Sequence, residues 1–308
     1  MMDSYNNPSE IKFGDLAEEW LIYQKKRVKE SSYISNVTRV RGILLPAFGE
    51  RRVCEIKPID VLHWMEDLQE KYSYEYCKTI CTRLSSIYKF GARYYDIENV
   101  MDKVDRPRNN QPKRQFAVWT PEQFATFIGM IPDPEYNLFF RTLYLLGCRR
   151  GELQALQWQD LNFDAGTIHV CHTITIKTEK GKWAMTSPKT SSSDRLIRIS
   201  ERQMNEFRKI FSERNPSPDS FVFGGDRPLP EQTVFCKFRQ AVDAAGVPKI
   251  RIHDLRHSCA SYLISQGVDI VTVSRRLGHS SVKQTLDTYS HMMPSAEELS
   301  VRLMEKIV

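Results

Sequence analysis

Five short clusters of charged, imidazole and phenol side chains follow one another in the second half of the chain. They are Leu-Gly-Cys-Arg-Arg-Gly-Glu-Leu at 146–153, Pro-Lys-Thr at 188–190, His-Asp-Leu-Arg-His at 253–257, Leu-Gly-His at 277–279 and Thr-Tyr-Ser-His at 288–291. Taken singly, each has an ordinary reading. Arg-Arg before Gly-Glu suits a helix surface, Pro-Lys-Thr a turn, and His-Asp-Leu-Arg-His a capped helix start. Taken together, they fit attack on a phosphodiester. In-line displacement at phosphorus builds charge on the non-bridging oxygens, and the side chains best suited to that charge are forked and always protonated. Arg149 and Arg256 meet this requirement. A tyrosine hydroxyl has a pKa of about 10, so as a nucleophile at neutral pH it needs a base or a strong positive field beside it.

The order and spacing of the five clusters resemble the tyrosine recombinase (phage integrase) family, over about residues 115–300, and most closely integrases of phages or conjugative transposons. The resemblance places the first family arginine on Arg149, the β-hairpin lysine on Lys189, the His-x-x-Arg pair on His253 and Arg256, the second histidine on His279 and the nucleophile on Tyr289, ten residues after His279. Leu146 departs from the family, where Thr often precedes the glycine, and is expected to affect helix packing and not chemistry.

With these roles, His253 is the candidate base for the Tyr289 hydroxyl and His279 a hydrogen-bond donor to the phosphate. Lys189 is the candidate acid for the leaving 5′ oxygen, among basic neighbours that would lower its pKa. Lys177, Lys180 and Lys182 fall in the same predicted hairpin and compete for that role. Glu152 is the supporting residue: three positions after Arg149, it either pairs with a buried arginine and orients it or forms a surface ion pair. No metal or cofactor is expected, because the chain has no cluster of carboxylates and a phosphotyrosine ester conserves the bond energy needed for religation.

These side chains need a scaffold, and the composition allows one. The 308 residues are 41% hydrophobic and 27% charged, a globular balance with length for two domains. No apolar run approaches the roughly 18 residues of a spanning helix. Seven cysteines, odd in number and without a Cys-x-x-Cys pair, and an N-terminus lacking a basic-then-apolar pattern, imply a reduced cytoplasm. The net charge of +6 suits a polyanionic partner. Residues 1–110 carry 18 basic and 17 acidic groups, so the excess is not an N-terminal basic tail.

After a tail at 1–10, residues 11–103 read as four amphipathic helices in a compact bundle. The first has Phe13, Leu16, Ala17 and Trp20 on one face, and the second has Tyr33, Val37, Val40 and Leu44. The third is opened by Pro58 and carries Val61, Met65 and Leu68. The fourth, about 73–95, carries Ile80, Leu84, Ile87 and Gly91. A second stripe on the fourth helix, Lys78, Thr82, Ser85 and Lys89, is a candidate phosphate grip, with a merely solvated face as the alternative. By resemblance this bundle is the family's core-type DNA-binding domain.

Residues 104–118 read as an exposed linker. A catalytic domain follows at 119–308, starting with the capped helix of Thr120-Pro121-Glu122-Gln123. Strands near 167–176 and 194–199 form a small antiparallel sheet, and helices are predicted at about 201–213, 231–245, 254–266 and 269–276, with a short one after Pro294. The fold class is thus mainly α with a small antiparallel sheet (α+β).

The resemblance implies a site-specific DNA recombinase that integrates or excises a mobile element through a 3′-phosphotyrosyl intermediate and a Holliday junction. The alternatives are a Xer-like resolvase, a type IB topoisomerase-like nicking-closing enzyme and a non-catalytic DNA-binding regulator. The implied partners are double-stranded DNA attachment sites, three further copies in a homotetramer on two DNA sites, and accessory excision or DNA-bending proteins. About ten residues precede the first helix, where many integrases carry a small arm-binding domain, which leaves two expectations open: a two-domain recombinase like the chromosome-dimer resolvases, or a chain without the arm domain that a longer relative possesses. The stripe of Leu299, Leu303 and Ile307 is too small for a core of its own and is expected to dock on a neighbouring protomer, or otherwise on its own domain.

Overall fold

A computed structural model of the chain describes residues 10–106, 117–176, 178, 182–187, 191–290, 301, 304 and 305. The chain divides into two compact units, Met1–Arg114 with Ile176–Trp183, and Gln115–Thr175 with Ala184–Val308. The residues expected to form the linker lie mostly outside the described residues, as does most of the predicted C-terminal helix.

The first unit is helical: α1 (Phe13–Lys25), α2 (Glu30–Arg39), α3 (Leu45–Phe48), α4 (Pro58–Lys71) and α5 (Tyr74–Tyr94). The second predicted helix ends in a π-helical turn, Val40–Leu44, where the Leu45 amide reaches back five residues to the Val40 carbonyl. Pro46, which has no N–H to donate, then sits in the first turn of α3. The expected stripes meet in one core: Phe13, Leu16, Trp20, Val61, Met65, Leu68, Ile80, Leu84 and Ile87 are all buried.

One expectation on α5 needs correcting. Lys78, Thr82 and Lys89 are exposed, but Ser85 is buried at 5% exposure. The core face of α5 is wide enough to take in Cys81, Leu84 and Tyr88, and Ser85 lies between them. The Thr82 hydroxyl donates to the Lys78 carbonyl at 2.8 Å.

In the second unit, Thr120 and Gln123 form the expected capping box at the start of α6 (Pro121–Gly129). Asp133 caps α7 (Pro134–Leu146), and α8 (Arg150–Gln154) follows one tight turn later. Leu146 is fully buried, in keeping with a packing role.

The strands differ from the single sheet expected. β1 (Leu161–Asn162), β2 (Thr167–Val170) and β5 (Arg195–Arg198) form an antiparallel sheet in the order β1-β2-β5, with Ile168 opposite Ile197. β3 (Thr173–Thr175) pairs only with β4 (Ala184–Thr186). The run 167–176 breaks at Cys171-His172. Ile168 and Val170 alternate into the core, whereas no β3 side chain is fully buried, so β3 is free to leave the first sheet.

Five helices complete the unit: α9 (Glu201–Arg214), α10 (Glu231–Ala245), α11 (Asp254–Ser265), α12 (Ile270–Leu277) and α13 (Val282–Tyr289). The last was not among the expected helices. Its core is rich in aromatic rings, including Trp119, Phe127, Phe139, Phe140, Phe207, Phe223 and Phe238. A smaller cluster of Ala260, Ile264, Val273, Leu277 and Tyr289 joins α11, α12 and α13.

Candidate active site

The ends of α7, α8, α11, α12 and α13 carry the candidate residues. Gly147, in the left-handed conformation, closes α7, and the chain turns so that Arg149 becomes the N-cap of α8. The Glu152 carboxylate reaches back to accept from the Arg149 backbone N–H at 2.9 Å and from its Nη1 at 2.7 Å. Glu152 is only 6% exposed, whereas the Arg149 side chain is 40% exposed, so the carboxylate is buried and the arginine half-buried, between the two arrangements considered above. Gly151 is required by space: a Cβ there would lie 2.7 Å from the Ile174 carbonyl oxygen of β3.

A residue that the sequence did not single out completes this ion pair. Arg195, at the start of β5, donates from Nη2 to Glu152 at 3.0 Å, from Nε to the Arg276 carbonyl at 2.7 Å and from Nη1 to the Ser193 carbonyl at 3.0 Å. Burial pushes the Glu152 carboxyl up, but the two guanidiniums and the Arg149 amide outweigh that and hold it below its ordinary value. The glycine of Leu-Gly-His has a role here. Gly278 closes α12 at φ 71°, and a Cβ on it would lie 2.8 Å from Arg195 Nη1.

Arg256, on the first turn of α11, is 3% exposed. Its Nη1 donates to the Gly147 carbonyl at 2.9 Å and the Leu277 carbonyl at 2.6 Å, while its buried Nη2 has no hydrogen-bond partner among the described residues. Burial first, then the charge of Arg149, lowers its pKa to about 10, so it remains protonated at neutral pH.

Three histidines surround these guanidiniums. His253 is the N-cap of α11, and its pKa is lowered by burial and by Arg256. His279 follows Gly278; its Nδ1 meets the Thr285 hydroxyl at 2.7 Å, and burial with Arg256 and Arg149 lowers its pKa to about 4. His257 stands edge-to-face with His253, ring centroids 5.3 Å apart. Burial and the neighbouring His253 lower its pKa to about 4 as well. The His257 and His279 rings are therefore neutral at pH 7.

Tyr289 ends α13, with 0% exposure. Ser281 and Gln284 give that helix its cap, a Ser-x-x-Gln signal legible in the sequence. The histidine bonded to the Tyr289 hydroxyl is His257, at 2.5 Å, one helical turn after the His253 that sequence reasoning put there. His257 stands in the same His-Asp-Leu-Arg-His cluster, and only the docking of α13 distinguishes the two. Burial raises the Tyr289 pKa, and Arg256 opposes that rise.

The second unit thus brings together Arg149, Glu152, His253, Arg256, His279 and Tyr289, and adds His257 and Arg195. Lys189 lies outside the described residues. Lys182 is described and exposed. No helix among the described residues is long and apolar enough to cross a membrane.

Comparison with known proteins bears on the family and the fold. Residues 120–295 match the phage integrase family, and residues 12–69 match the N-terminal SAM-like domain of phage integrases. The ICEBs1 integrase of Bacillus subtilis is 33% identical over 232 residues, 71% of this chain and 62% of that protein. A XerC-like tyrosine recombinase of Caldanaerobacter subterraneus is 30% identical over 97% of this chain and 84% of its own length. Among solved structures, the Tn1549 transposon integrase in complex with a circular intermediate DNA superposes with a TM-score of 0.78 at 20% identity, covering 97% of this chain and 100% of that one. A lambda integrase dimer bound to a core site gives 0.70 at 15% identity, covering 95% and 80%. With the family model spanning more than half of its length and both domains of the fold matched, the chain belongs to the phage integrase family of tyrosine-type site-specific recombinases.

Proposed function

We propose that this protein cuts and rejoins DNA at the attachment sites of a mobile element, with Tyr289 as the nucleophile. The observation that carries the reading is Arg256, a buried, protonated guanidinium with an unpartnered Nη2 beside the shielded hydroxyl of Tyr289. A buried donor without a partner costs free energy that a phosphate oxygen would recover.

In this reading Arg149 and Arg256 hold the non-bridging oxygens, joined by N–H donors from His253 and His279. The Tyr289 oxygen attacks phosphorus in line. A 3′-phosphotyrosyl ester forms, the bond to the 5′ oxygen breaks, and the hydroxyl proton passes to His257, whose neutral ring already bonds it. Lys189 gives the leaving 5′ oxygen its proton. The reverse sequence, with a 5′ hydroxyl from a second strand, completes exchange without an energy source, because one ester replaces another. Glu152 and Arg195 act by fixing Arg149.

The helical unit is the core-type DNA-binding domain, joined by the 104–118 linker to the catalytic domain. On α5, the exposed Lys78, Thr82 and Lys89 supply a face for backbone phosphates. Exchange of four strands needs four tyrosines, so the active species is a homotetramer on two DNA sites. The seven free cysteines suit the reducing cytoplasm of a bacterial cell.

The test is covalent trapping on a nicked suicide substrate. The wild-type chain should accumulate a DNA adduct at Tyr289, and Tyr289→Phe should form none while keeping nearly the same DNA affinity at fixed salt. Normal adduct formation by Tyr289→Phe would sink the assignment. Relaxation of supercoils without strand exchange between paired sites would point to a nicking-closing enzyme instead.

A further inference from the structure

Among the described residues, one group of metal-ligating side chains converges away from the tyrosine: Asp160, His169 and Cys171, whose ligand atoms lie within 4.8 Å of one another. They arrive from separate pieces of backbone. Asp160 ends the 3-10 turn Trp158–Asp160, His169 is on β2, and Cys171 stands at the break between β2 and β3. All three are partly buried.

Two further groups adjoin them. His172 Nδ1 is 3.1 Å from Cys171 Sγ, and Asp194 Oδ1 is 2.7 Å from His169 Nε2. The Asp160 carboxylate is fixed by its other oxygen: Oδ2 accepts from the Gln157 amide at 2.9 Å, while Oδ1 takes the Cys171 thiol at 3.6 Å.

A thiol, imidazole and one carboxylate oxygen form a mixed sulfur, nitrogen and oxygen set. Hard cations such as Mg(II) and Ca(II) take oxygen donors, whereas Zn(II) takes this mixture in tetrahedral sites. Zinc bonds of about 2.0–2.3 Å put tetrahedral donors roughly 3.3–3.7 Å apart, so small side-chain movements would close the group around an ion. A carboxylate on one imidazole nitrogen, as Asp194 provides, is the arrangement that orients a metal-binding histidine.

We propose that Asp160, His169 and Cys171, with His172 as the nearest fourth donor, bind one Zn(II) in a structural role. On binding, the Cys171 S–H bond breaks, its proton goes to the buffer, and a sulfur–zinc bond forms. The ion does not enter the strand-transfer chemistry. It ties the end of β2 to the 3-10 turn and, through Asp194, to the start of β5.

The experiment uses the full-length chain, stripped with a chelator and titrated with Zn(II) against a chromophoric competitor. One equivalent should bind. Cys171→Ser and His169→Gln should each weaken it by at least about 100-fold, Asp194→Asn by about 10–100-fold, and Cys236→Ser, an exposed cysteine elsewhere, should leave it unchanged. Co(II) loaded in place of zinc should show the strong visible bands of a tetrahedral ion and a thiolate-to-cobalt charge-transfer band that Cys171→Ser abolishes. Circular dichroism of each metal-free variant shows whether it folds, and the Co(II) spectrum of the wild-type chain stands as a test independent of any variant. Failure to bind one equivalent, equal affinity in folded Cys171→Ser and His169→Gln, or a Co(II) spectrum without the thiolate band would each overturn the proposal.

Discussion

Replacing Arg195 with methionine isolates what holds Arg149. The Arg195 side chain is 7% exposed and that of Glu152 6%, so the substitution leaves a buried carboxylate with Arg149 as its remaining ion-pair partner among the described residues and also strips a donor from the Ser193 and Arg276 carbonyls. Breaking a buried pair from one side costs about 3–5 kcal/mol. In a unit of this size each kcal/mol moves the melting temperature by about 2–4 °C, so Arg195→Met should lower the transition of the catalytic unit by roughly 6–20 °C. Much of that loss is the poorer compensation of the buried Glu152 charge, left to the half-exposed Arg149 alone, and not the absence of the arginine itself. Glu152→Gln placed in the Arg195→Met background should therefore cost far less than in the wild-type chain, with a coupling of about 1–3 kcal/mol. Urea unfolding of the four proteins of the cycle measures it. Additivity within about 0.5 kcal/mol, or a loss below about 1 kcal/mol for Arg195→Met alone, would refute the idea that Glu152 depends on both arginines.

Arg256→Lys should reduce adduct formation by at least about 10²-fold, because one ammonium cannot hold two carbonyls and also present a forked donor to phosphate; a loss under threefold would count against it. Stability should fall with acid. The His257 and His279 pKa values are depressed to about 4 against an ordinary 6.5, so their contribution is complete above about pH 6.5 and is lost as the unfolded chain takes up protons down to about pH 4. Melts at pH 7.5 and pH 5 should differ by about 1–2 kcal/mol per histidine, and His279→Gln should remove part of that difference. Gly278→Ala should cost about 2–4 kcal/mol, from φ 71° and from displacing Arg195, whereas Gly246→Ala, at φ 65° with nothing within 4 Å, should cost about 1 kcal/mol; equal losses would deny the contact.

Local signals in the sequence revealed most of this molecule. Apolar periodicity located α1, α4, α5, α9, α10, α11 and α12, and the Thr120 capping box located α6, because each depends on residues within a turn or two. Tertiary contacts were not legible. Nothing near Arg195 announces that it reaches Glu152, which stands 43 positions earlier. His253 and His257 are equivalent on paper and differ only in which one α13 meets. That helix was itself overlooked: Ser281 and Gln284 signal its start, but Thr285 and Tyr289 are polar residues on a buried face, and a pattern read by hydrophobicity passes over them. Ser85 failed for the complementary reason, a polar residue caught inside a wide apolar face. His-Val-Cys-His at 169–172 lies in a strand-like run whose alternation drew attention to Ile168 and Val170 instead.

The two carbonyls that receive Arg256 belong to Gly147 and Leu277, at the C-terminal ends of α7 and α12. Helix C-termini carry about half a negative charge spread over unsatisfied carbonyls. They can clamp a guanidinium by direction while cancelling only part of its charge, whereas Glu152 brings a full charge to Arg149, shared with Arg195. The two arginines thus divide the work of attracting an anion. The Arg149–Glu152–Arg195 cluster holds two guanidiniums on one carboxylate and contributes geometry, whereas Arg256, held by carbonyls, keeps a positive charge that falls off slowly through the buried surroundings.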